Sequence, residues 1–240
     1  MQVAGKTILL TGGTDGIGRE LAEQLRTKGA QLIVSGRTPE RIAAAKAAGY
    51  EVIAADLSTA AGADIVLDAV KGRTIDILIN NAGLGSDHDF RVGAPDLGDN
   101  DRCIFANLNA PIHLIAGLMP LLKALPEAMI VNVTSGLAIA PRSGGPIYCA
   151  TKAGLRSYTL ALREQMKGSN VHVLEVLPPV VETKLTAGRG SRKMSAKACA
   201  AEIVQAIENN AKEANVGMTK LLRIVESISP ALARKIMIRF

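Results

Sequence analysis

The chain has 240 residues, 48% of them hydrophobic and 21% charged, which is the composition of an ordinary globular protein with a sizeable core. It contains no uninterrupted run of about 18 apolar residues and does not begin with a signal-peptide layout, so neither a transmembrane helix nor a signal peptide is predicted. The net charge of +6 is uneven, because residues 1–183 have 17 basic and 18 acidic side chains, whereas residues 184–240 have 11 and 4.

Strand-like and helix-like segments alternate along the chain. The predicted strands are, in order, KTILLTG (6–12), QLIVSG, YEVIAAD, TIDILINNAG, AMIVNVTSG and VHVLEVLPP. Helical segments lie between them, and the longest is predicted over 101–124, where Pro111 is expected to kink or divide it. Strands that are apolar on both faces and alternate with helices indicate a parallel sheet covered on both sides. We therefore predict one doubly wound α/β domain with about seven parallel strands.

A glycine-rich segment, TGGTDGIG (11–18), joins the first strand to the first helix. Gly12, Gly16 and Gly18 would allow backbone N–H groups and a helix N-terminus to approach a pyrophosphate. The spacing is T-G-x-x-x-G-x-G, and its position directly after a strand makes it a strong signal for dinucleotide binding.

Tyr148 and Lys152 lie four positions apart on the helix that begins in PIYCATKAG. Positions i and i+4 share one face of a helix, so the two polar groups can meet. Taken alone, the pair is also typical of a half-buried ring beside a lysine that reaches water. The other motifs of the chain decide between these interpretations.

These motifs resemble, in order and spacing, the short-chain dehydrogenase/reductase family over essentially the whole chain. They are the glycine loop, Asp56 after strand three, NNAG at 80–83, Asn107, Ser135 in VNVTSG, and Tyr148 with Lys152. The resemblance implies a Rossmann-type dinucleotide-binding and catalytic domain over 1–217. It implies an oxidoreductase that acts on carbonyls or secondary alcohols with NAD(P)(H). Within the family, LPPVVET and the C-terminal tail most resemble the D-alanine-esterification oxidoreductases.

The resemblance also assigns residues to the cofactor. They are Gly12, Thr14, Asp15, Gly16, Ile17 and Gly18 in the glycine loop, Asp56 and Leu57 at the adenine, Asn81, Ala82 and Gly83 at the adenosine ribose, Tyr148 and Lys152 at the nicotinamide end, and Thr183 at the pyrophosphate or carboxamide. Pro179 replaces the glycine of most members, so the loop before Thr183 is expected to be stiffer.

Strand two ends in VSGR, which bears on the choice of cofactor. Gly36 stands where NAD-selecting relatives have an acid, and the guanidinium of Arg37 can bind a 2′-phosphate. The alternative for Arg37 is a solvated loop arginine. We predict NADP(H), with NAD(H) as the second choice, although Asp15 stands where NADP-using relatives are often basic.

The catalytic roles follow from the same resemblance. Hydride transfer to a carbonyl leaves negative charge on its oxygen, so proton and hydrogen-bond donors must face it. Tyr148 would be the acid in reduction and the base in oxidation, with its pKa lowered by the Lys152 ammonium. Ser135 would polarise the carbonyl, since Thr134 should point to the other side of the strand. Asn107 would hold a water that extends the proton path.

Substrate and partners are less defined. Residues 84–100 and 184–198 are expected to form the mouth of the site, where Arg189, Arg192 and Lys193 either attract an anionic substrate or form a solvated basic face. The resemblance implies a homodimer or homotetramer acting on a small molecule, and no nucleic-acid partner is predicted. Scattered cysteines (Cys103, Cys149 and Cys199) favour a reducing cytoplasm, and Cys149 is interpreted as a small helix residue.

The tail, residues 218–240, is predicted to form two short basic amphipathic helices. The predicted apolar face of the first consists of Leu221, Leu222, Val225 and Ile228, and that of the second consists of Leu232, Ile236 and Phe240. Ser229-Pro230 reads as an N-cap followed by proline at the first helical position, so the break is expected there. The apolar faces must be covered by the chain's own substrate mouth, by a partner subunit, or by an anionic membrane. Rivals to the enzyme are a nucleotide-sensing protein or a membrane-surface protein on the same fold.

Overall fold

The computed structural model describes residues 1–188 and 193–239. Its strands are β1 (Thr7–Leu10), β2 (Gln31–Gly36), β3 (Glu51–Ala54), β4 (Ile77–Asn80), β5 (Ala128–Val133), β6 (Val171–Leu177) and β7 (Glu213–Asn215). They form a seven-stranded sheet in the order β3-β2-β1-β4-β5-β6-β7, and every neighbouring pair is parallel. The predicted doubly wound α/β class is confirmed.

Helices cover both faces of this sheet. They are α1 (Gly16–Thr27), α2 (Pro39–Ala47), α3 (Ala60–Ala69), α4 (Leu97–Ile104), α5 (Ala110–Lys123), α6 (Pro146–Gln165), α7 (Ala196–Glu208), α8 (Thr219–Ile228) and α9 (Pro230–Met237). Successive strand residues point to opposite faces, so β1 contributes to two apolar cores. Leu10 packs with Leu21 of α1 and Ile203 of α7 on one face, whereas Leu9 packs with Leu114 of α5 on the other.

The long helix predicted over 101–124 is divided into three parts. It begins earlier than predicted, because Asp96 caps α4 by accepting hydrogen bonds from the N–H groups of Gly98 and Asp99. A π-helical segment, Phe105–Asn109, separates α4 from α5. Pro111 has no N–H to donate to the carbonyl of Asn107, which explains why regular α-helical bonding fails here. Leu97–Lys123 is long and apolar enough for a membrane span, but Leu114, Leu118 and Leu122 are buried in the core.

The strand order places the candidate site. The chain runs outward from β1 through β2 to β3, then returns to β4 on the other side of β1. At such a switch point, the loops at the carboxyl ends of neighbouring strands diverge and leave a crevice. The glycine loop after β1, NNAG after β4, Ser135 after β5 and LPPVVET after β6 all lie at this edge of the sheet.

The tail forms two helices, as predicted, and breaks at Ser229, whose Oγ accepts a hydrogen bond from the Leu232 N–H at 3.2 Å. α8 lies against the segment after β5, where Thr219 Oγ1 and Leu222 would be the nearest neighbours of a Cβ on Gly136. The outer face is an exposed apolar stripe, which we call the tail stripe: Leu221, Ile224, Ile228, Leu232 and Ile236.

The predicted apolar face of α8 is therefore only partly correct. Leu222 and Val225 turn inward and are half-buried, while Leu221 and Ile228 are exposed. Phe240, which we predicted on the face of α9, lies outside the described residues.

Candidate active site

The glycine loop after β1 forms a tight turn against the loop after β4. Gly12 has φ +65°, and a Cβ on it would lie 2.9 Å from the Cα of Ala82. A Cβ on Gly18 would lie 2.1 Å from the carbonyl oxygen of Gly12. Side chains at these positions would fill the floor of the crevice, so glycine keeps it open for a close backbone approach by a ligand.

A cavity of about 500 Å³ extends from this loop to the carboxyl ends of β2 and β3. It is lined by all the residues predicted for the adenosine and pyrophosphate: Gly12, Thr14, Asp15, Gly16, Ile17, Gly18, Arg37, Asp56, Leu57, Asn81, Ala82, Gly83 and Thr183. A Cβ on Gly36 would lie 2.5 Å from Thr14 Oγ1, so an acidic side chain cannot be placed there without moving the loop.

The far end of this cavity has an excess of positive charge. Arg37 lies 3.3 Å from Asp56, and Arg102 approaches the same carboxylate at 3.5 Å. Burial would raise the pKa of Asp56, but hydrogen bonds from Ser58 and the charge of Arg37 outweigh it and lower that pKa. Arg41 pairs with Asp15 at 2.7 Å. Arg102 does not itself line the cavity, but with it the three arginines near this end exceed the two aspartates by one unit of charge.

Arg41 also lines the far end of the cavity, although we did not predict this from the sequence. It lies in the first turn of α2, four positions after Arg37, and lines the cavity. Its pairing with Asp15 neutralises the acidic side chain that counted against NADP(H). The signal was present in the segment RTPER, since a basic residue in the first turn of the helix after β2 lies near the end of β2.

A second cavity of about 110 Å³ adjoins the first at the ends of β5 and β6. It is lined by Ser135, Tyr148 and Lys152, and it shares Ile17, Asn81, Gly83, Thr183 and Leu185 with the larger cavity. The structure therefore places three of the four predicted catalytic residues at one end of a continuous crevice.

Lys152 is almost completely buried, and its Nζ donates a hydrogen bond to the carbonyl of Val133 at 2.8 Å. Burial disfavours the charged form and lowers the pKa of Lys152 to about 8. Nζ lies 5.9 Å from the centroid of the Tyr148 ring. The i, i+4 spacing thus brings both residues together on the face of α6 that meets the sheet.

Ser135 and Thr134 point in different directions, as predicted. Thr134 Oγ1 lies 2.8 Å from a carboxylate oxygen of the buried Glu175, whereas Ser135 lines the smaller cavity. Ser135 Oγ also accepts a hydrogen bond from the Leu137 N–H at 3.1 Å, because Ser135 caps a short 3-10 helix. The remaining capacity of its hydroxyl group is as a donor, which suits contact with a carbonyl oxygen.

Asn107 lies in the π-helical segment and is fully buried. Its Oδ1 accepts a hydrogen bond from the Leu84 N–H at 2.8 Å, and its Nδ2 donates to the Leu84 carbonyl at 2.9 Å. Both ends of the side-chain amide therefore hold the loop after β4, and this loop lines both cavities through Gly83. The proposed water at Asn107 stays a prediction.

The loop after β6 closes the crevice from the other side. A Cβ on Gly16 would lie 3.1 Å from Thr183 Cγ2, so Thr183 stands directly across from the glycine loop. Pro179 lines the smaller cavity. Lys193 donates a hydrogen bond to the carbonyl of Thr186, while Arg189 and Arg192 lie outside the described residues.

Comparison with known proteins agrees with this geometry, in which a glycine loop after β1 leads to a crevice that ends at Ser135, Tyr148 and Lys152. A model of the short chain dehydrogenase family matches residues 6–194. The chain therefore belongs to the short-chain dehydrogenase family of oxidoreductases, which act on C–OH and C=O groups with NAD(P)(H).

Individual relatives support the same assignment. The chain is 40% identical over 189 residues to the uncharacterized oxidoreductase DltE of Bacillus subtilis, covering 77% of this chain and 75% of the relative. It is 34% identical over 187 residues to a serine 3-dehydrogenase of Agrobacterium fabrum, covering 75% and 74%. The match to DltE confirms the resemblance to the D-alanine-esterification group.

A solved structure extends the similarity in fold to the whole chain. A short chain dehydrogenase from Burkholderia cenocepacia in complex with NADP has a TM-score of 0.87, with 24% identity and 99% of each chain covered.

Proposed function

We propose that the protein is an NADP(H)-dependent oxidoreductase that interconverts a carbonyl and an alcohol, with Tyr148 as the acid or base. The observation that supports this most directly is the pair of adjoining cavities. One is lined by Arg37 and Arg41 at its far end, and the other brings Ser135, Tyr148 and Lys152 together. When bound, the nicotinamide supplies or accepts the hydride.

The cofactor fits the larger cavity because the chain leaves room for it. Gly12 and Gly18 permit backbone contact with a pyrophosphate at the N-terminus of α1. Arg37 and Arg41 would hold the 2′-phosphate through charge-assisted hydrogen bonds. NAD(H) remains the alternative cofactor, and it would not engage these two guanidinium groups.

The roles of the catalytic residues follow from their surroundings. Ser135 donates a hydrogen bond to the carbonyl oxygen and thereby orients the substrate. Tyr148 gives its phenolic proton to that oxygen in reduction and takes it back in oxidation. Lys152, held by the Val133 carbonyl, supplies the positive charge that stabilises the phenolate. Its pKa of about 8 allows it to exchange protons near neutral pH.

Replacing Tyr148 with Phe tests this proposal. The variant should bind NADPH normally and lose about 10²- to 10⁴-fold in kcat, since only the proton donor is removed. Turnover would be measured with NADPH, NADH and their oxidised forms on a panel of carbonyls and alcohols that includes serine, which the name of one relative mentions. A Tyr148→Phe enzyme with near-normal kcat would show that another group transfers the proton.

The nucleotide-sensing alternative predicts a different result from the same panel. A sensor would bind NADPH tightly and turn over none of the substrates in either direction. A buried lysine beside a tyrosine at the end of the cavity favours the enzyme, because cofactor binding alone does not require a proton donor. The homodimer or homotetramer implied by the resemblance is part of this proposal, and sedimentation velocity would measure it.

A further inference from the structure

A chain of alternating charges links the tail to the segment that bears Ser135. Glu175, which lies on β6 with 0% of its side chain exposed, accepts a hydrogen bond from Arg156 of α6 at 2.6 Å. Arg156 also bonds to Glu213 of β7 at 3.1 Å, and Glu213 bonds to Arg223 of α8 at 3.3 Å. Two pairs of consecutive elements, α6 with β6 and β7 with α8, therefore meet in one network.

At its buried end, where Glu175 lies, this network contacts the segment that bears Ser135. The second carboxylate oxygen of Glu175 lies 2.8 Å from the hydroxyl group of Thr134, the residue before Ser135. The backbone on either side is fixed too, by bonds from Thr134 N–H to Val176 and from Gly136 N–H to Pro178. Because adjacent residues of an extended chain point to opposite sides, holding the Thr134 side chain sets the direction of Ser135.

The network also orients the helix that bears Tyr148 and Lys152. Arg156 lies one turn after Lys152 on the same face of α6. The two cations reach the sheet side by side, Lys152 at the Val133 carbonyl and Arg156 at Glu175. A rotation of α6 that displaced Lys152 would have to break the ion pair.

Stability alone does not account for a buried carboxylate at this place. Removing two charges from water costs several kcal/mol per ion, and apolar residues of the same volume often stabilise a fold equally well. A glutamine could keep both hydrogen bonds, because the Thr134 hydroxyl group can accept from its NH₂ group and donate to the Val176 carbonyl, which lies at 3.0 Å. It would lose the negative charge that pairs with the guanidinium of Arg156.

We propose that Glu175 is a positioning residue, which aligns Ser135 through Thr134 and Lys152 through Arg156. The assignment rests on the proposed function, since it requires Ser135 and Lys152 to act in catalysis. None of the network residues lines the cavity assigned to the adenosine end of the cofactor. Thr134 lines the smaller cavity, so loss of the network should lower turnover much more than it lowers NADPH affinity.

The test compares Thr134→Val, Thr134→Ser and Glu175→Gln with the wild type on the best substrate of the panel. Thr134→Val keeps the shape of the side chain and removes the hydroxyl group, so kcat should fall on the order of 10- to 100-fold, as expected for a misplaced catalytic group. Thr134→Ser restores the hydroxyl group and should restore kcat. The double variant Thr134→Val/Glu175→Gln should be no worse than the more impaired single variant, because both act through one contact.

Asp76→Asn is the matched control. This carboxylate is 15% exposed and, like Glu175, bonds to a basic side chain and a second donor, here Lys6 and the Thr7 N–H. It lies at the opposite edge of the sheet, before β4. It should lower Tm and leave kcat unchanged. Fluorescence titration with NADPH and thermal unfolding would accompany every kinetic measurement.

Two results would overturn the proposal: a Thr134→Val enzyme with wild-type kcat, or losses of kcat matched by equal losses of NADPH affinity. Should Glu175→Gln fail to fold, the Thr134 variants decide alone. The Tyr148→Phe variant separates this proposal from the proposed function. If Tyr148→Phe is inactive and Thr134→Val is normal, only the positioning role is wrong.

Discussion

Lys152 keeps an ammonium group in the protein interior, with 4% of its surface exposed and the Val133 carbonyl as its bonded neighbour. The shift of its pKa from 10.5 to about 8 by burial corresponds to a cost of about 3 kcal/mol, at 1.36 kcal/mol per unit. Such a cost is typical of a residue kept for chemistry at the expense of stability.

We therefore expect Lys152→Met to be inactive and more stable than the wild type. After subtraction of the lost charge-assisted hydrogen bond, worth roughly 1.5–3 kcal/mol, the gain should be up to about 1.5 kcal/mol, or up to about 6 °C in Tm. The unfolded chain binds more protons than the folded one between pH 8 and 10.5, so wild-type stability rises over this interval. The difference between variant and wild type should shrink accordingly.

Thermal unfolding from pH 7 to 10.5 measures this difference. Lys28→Met serves as the control, because Lys28 is exposed at 44% and pairs with Glu208 on the surface. The buried ammonium group would not be destabilising in the way described if Lys152→Met had no higher Tm than the wild type at pH 7. The same conclusion would follow if the difference in Tm stayed constant as the pH rises.

Arg37 and Arg41 should be required for NADP(H) and dispensable for NAD(H). Arg37→Ala removes a charge-assisted bond worth roughly 1.5–3 kcal/mol, which is about 10- to 150-fold in Kd. Arg41→Ala removes the partner of Asp15 and leaves that carboxylate facing the 2′-phosphate, so NADP(H) affinity should also fall. Both cofactors would be titrated into each variant.

Arg73→Ala is a suitable control, since Arg73 pairs with Glu51 away from the cavity. Equal losses for NADP(H) and NAD(H), or a wild type that prefers NAD(H), would refute the assignment of these residues.

At the scale of single residues, the sequence predicted those whose role depends on local geometry. The positions of Gly12, Gly18, Tyr148 and Lys152 depend on tight turns or helical spacing, which are visible in the chain itself. Glu175 was not predicted, because nothing in VHVLEVL distinguishes a carboxylate buried beside Arg156 from a solvent-facing one. Its role depends on a partner from another element.

At the scale of elements, the structure shows which face of the tail packs on the protein and which face is exposed. One face of α8 packs on Gly136 through Thr219 and Leu222, and Arg223 joins the charge network. The tail stripe on the outer face is exposed. Truncation after Gly217 should therefore lower Tm and kcat, because it removes both the packing and the outer end of the network.

Substitutions within the tail stripe distinguish between a partner subunit and a membrane as the surface that covers it. Ile224→Ser/Ile228→Ser leaves the inward contacts intact, so Tm of the isolated chain should change little. A change in sedimentation velocity would identify a partner subunit as the cover, whereas loss of co-sedimentation with anionic vesicles would identify a membrane. If neither property changes and truncation has no effect, both interpretations of the tail are wrong.

The sequence predicted a helix boundary correctly where the residues that determine it are adjacent in the chain. It did not predict the division of the helix near residue 105. Ser229-Pro230 marked the break between α8 and α9 correctly, because the cap and the proline are adjacent in sequence. The π-helical segment at Phe105–Asn109 was not predicted beyond a kink at Pro111. The side chain of Asn107 in this segment bonds to Leu84, and this contact across the fold is not visible in the local sequence.

At the scale of the whole molecule, Glu213 connects parts of the chain that no apolar core joins directly. It lies on the edge strand β7 and bonds to Arg156 of α6 and Arg223 of α8. Burial would raise the pKa of Glu213, but the Asn215 amide and the two guanidinium groups outweigh burial and lower that pKa from 4.5. A carboxyl group with a lowered folded-state pKa stabilises the fold above its unfolded pKa.

This stabilisation should be lost as the pH falls from 4.5 through the lower, folded-state pKa of Glu213. Glu213→Gln should therefore be less stable than the wild type at pH 7, and the difference should narrow as the pH falls below 4.5, where the wild-type carboxyl group is protonated too. Urea unfolding between pH 3 and 7 measures the difference, with Glu164→Gln as the control, because Glu164 and its partner Lys167 are both 76% exposed. An exposed pair contributes little at any pH. A Glu213→Gln deficit that persists unchanged at pH 3 would mean that the variant loses packing, and that the ion pairs of Glu213 do not hold β7, α6 and α8 together.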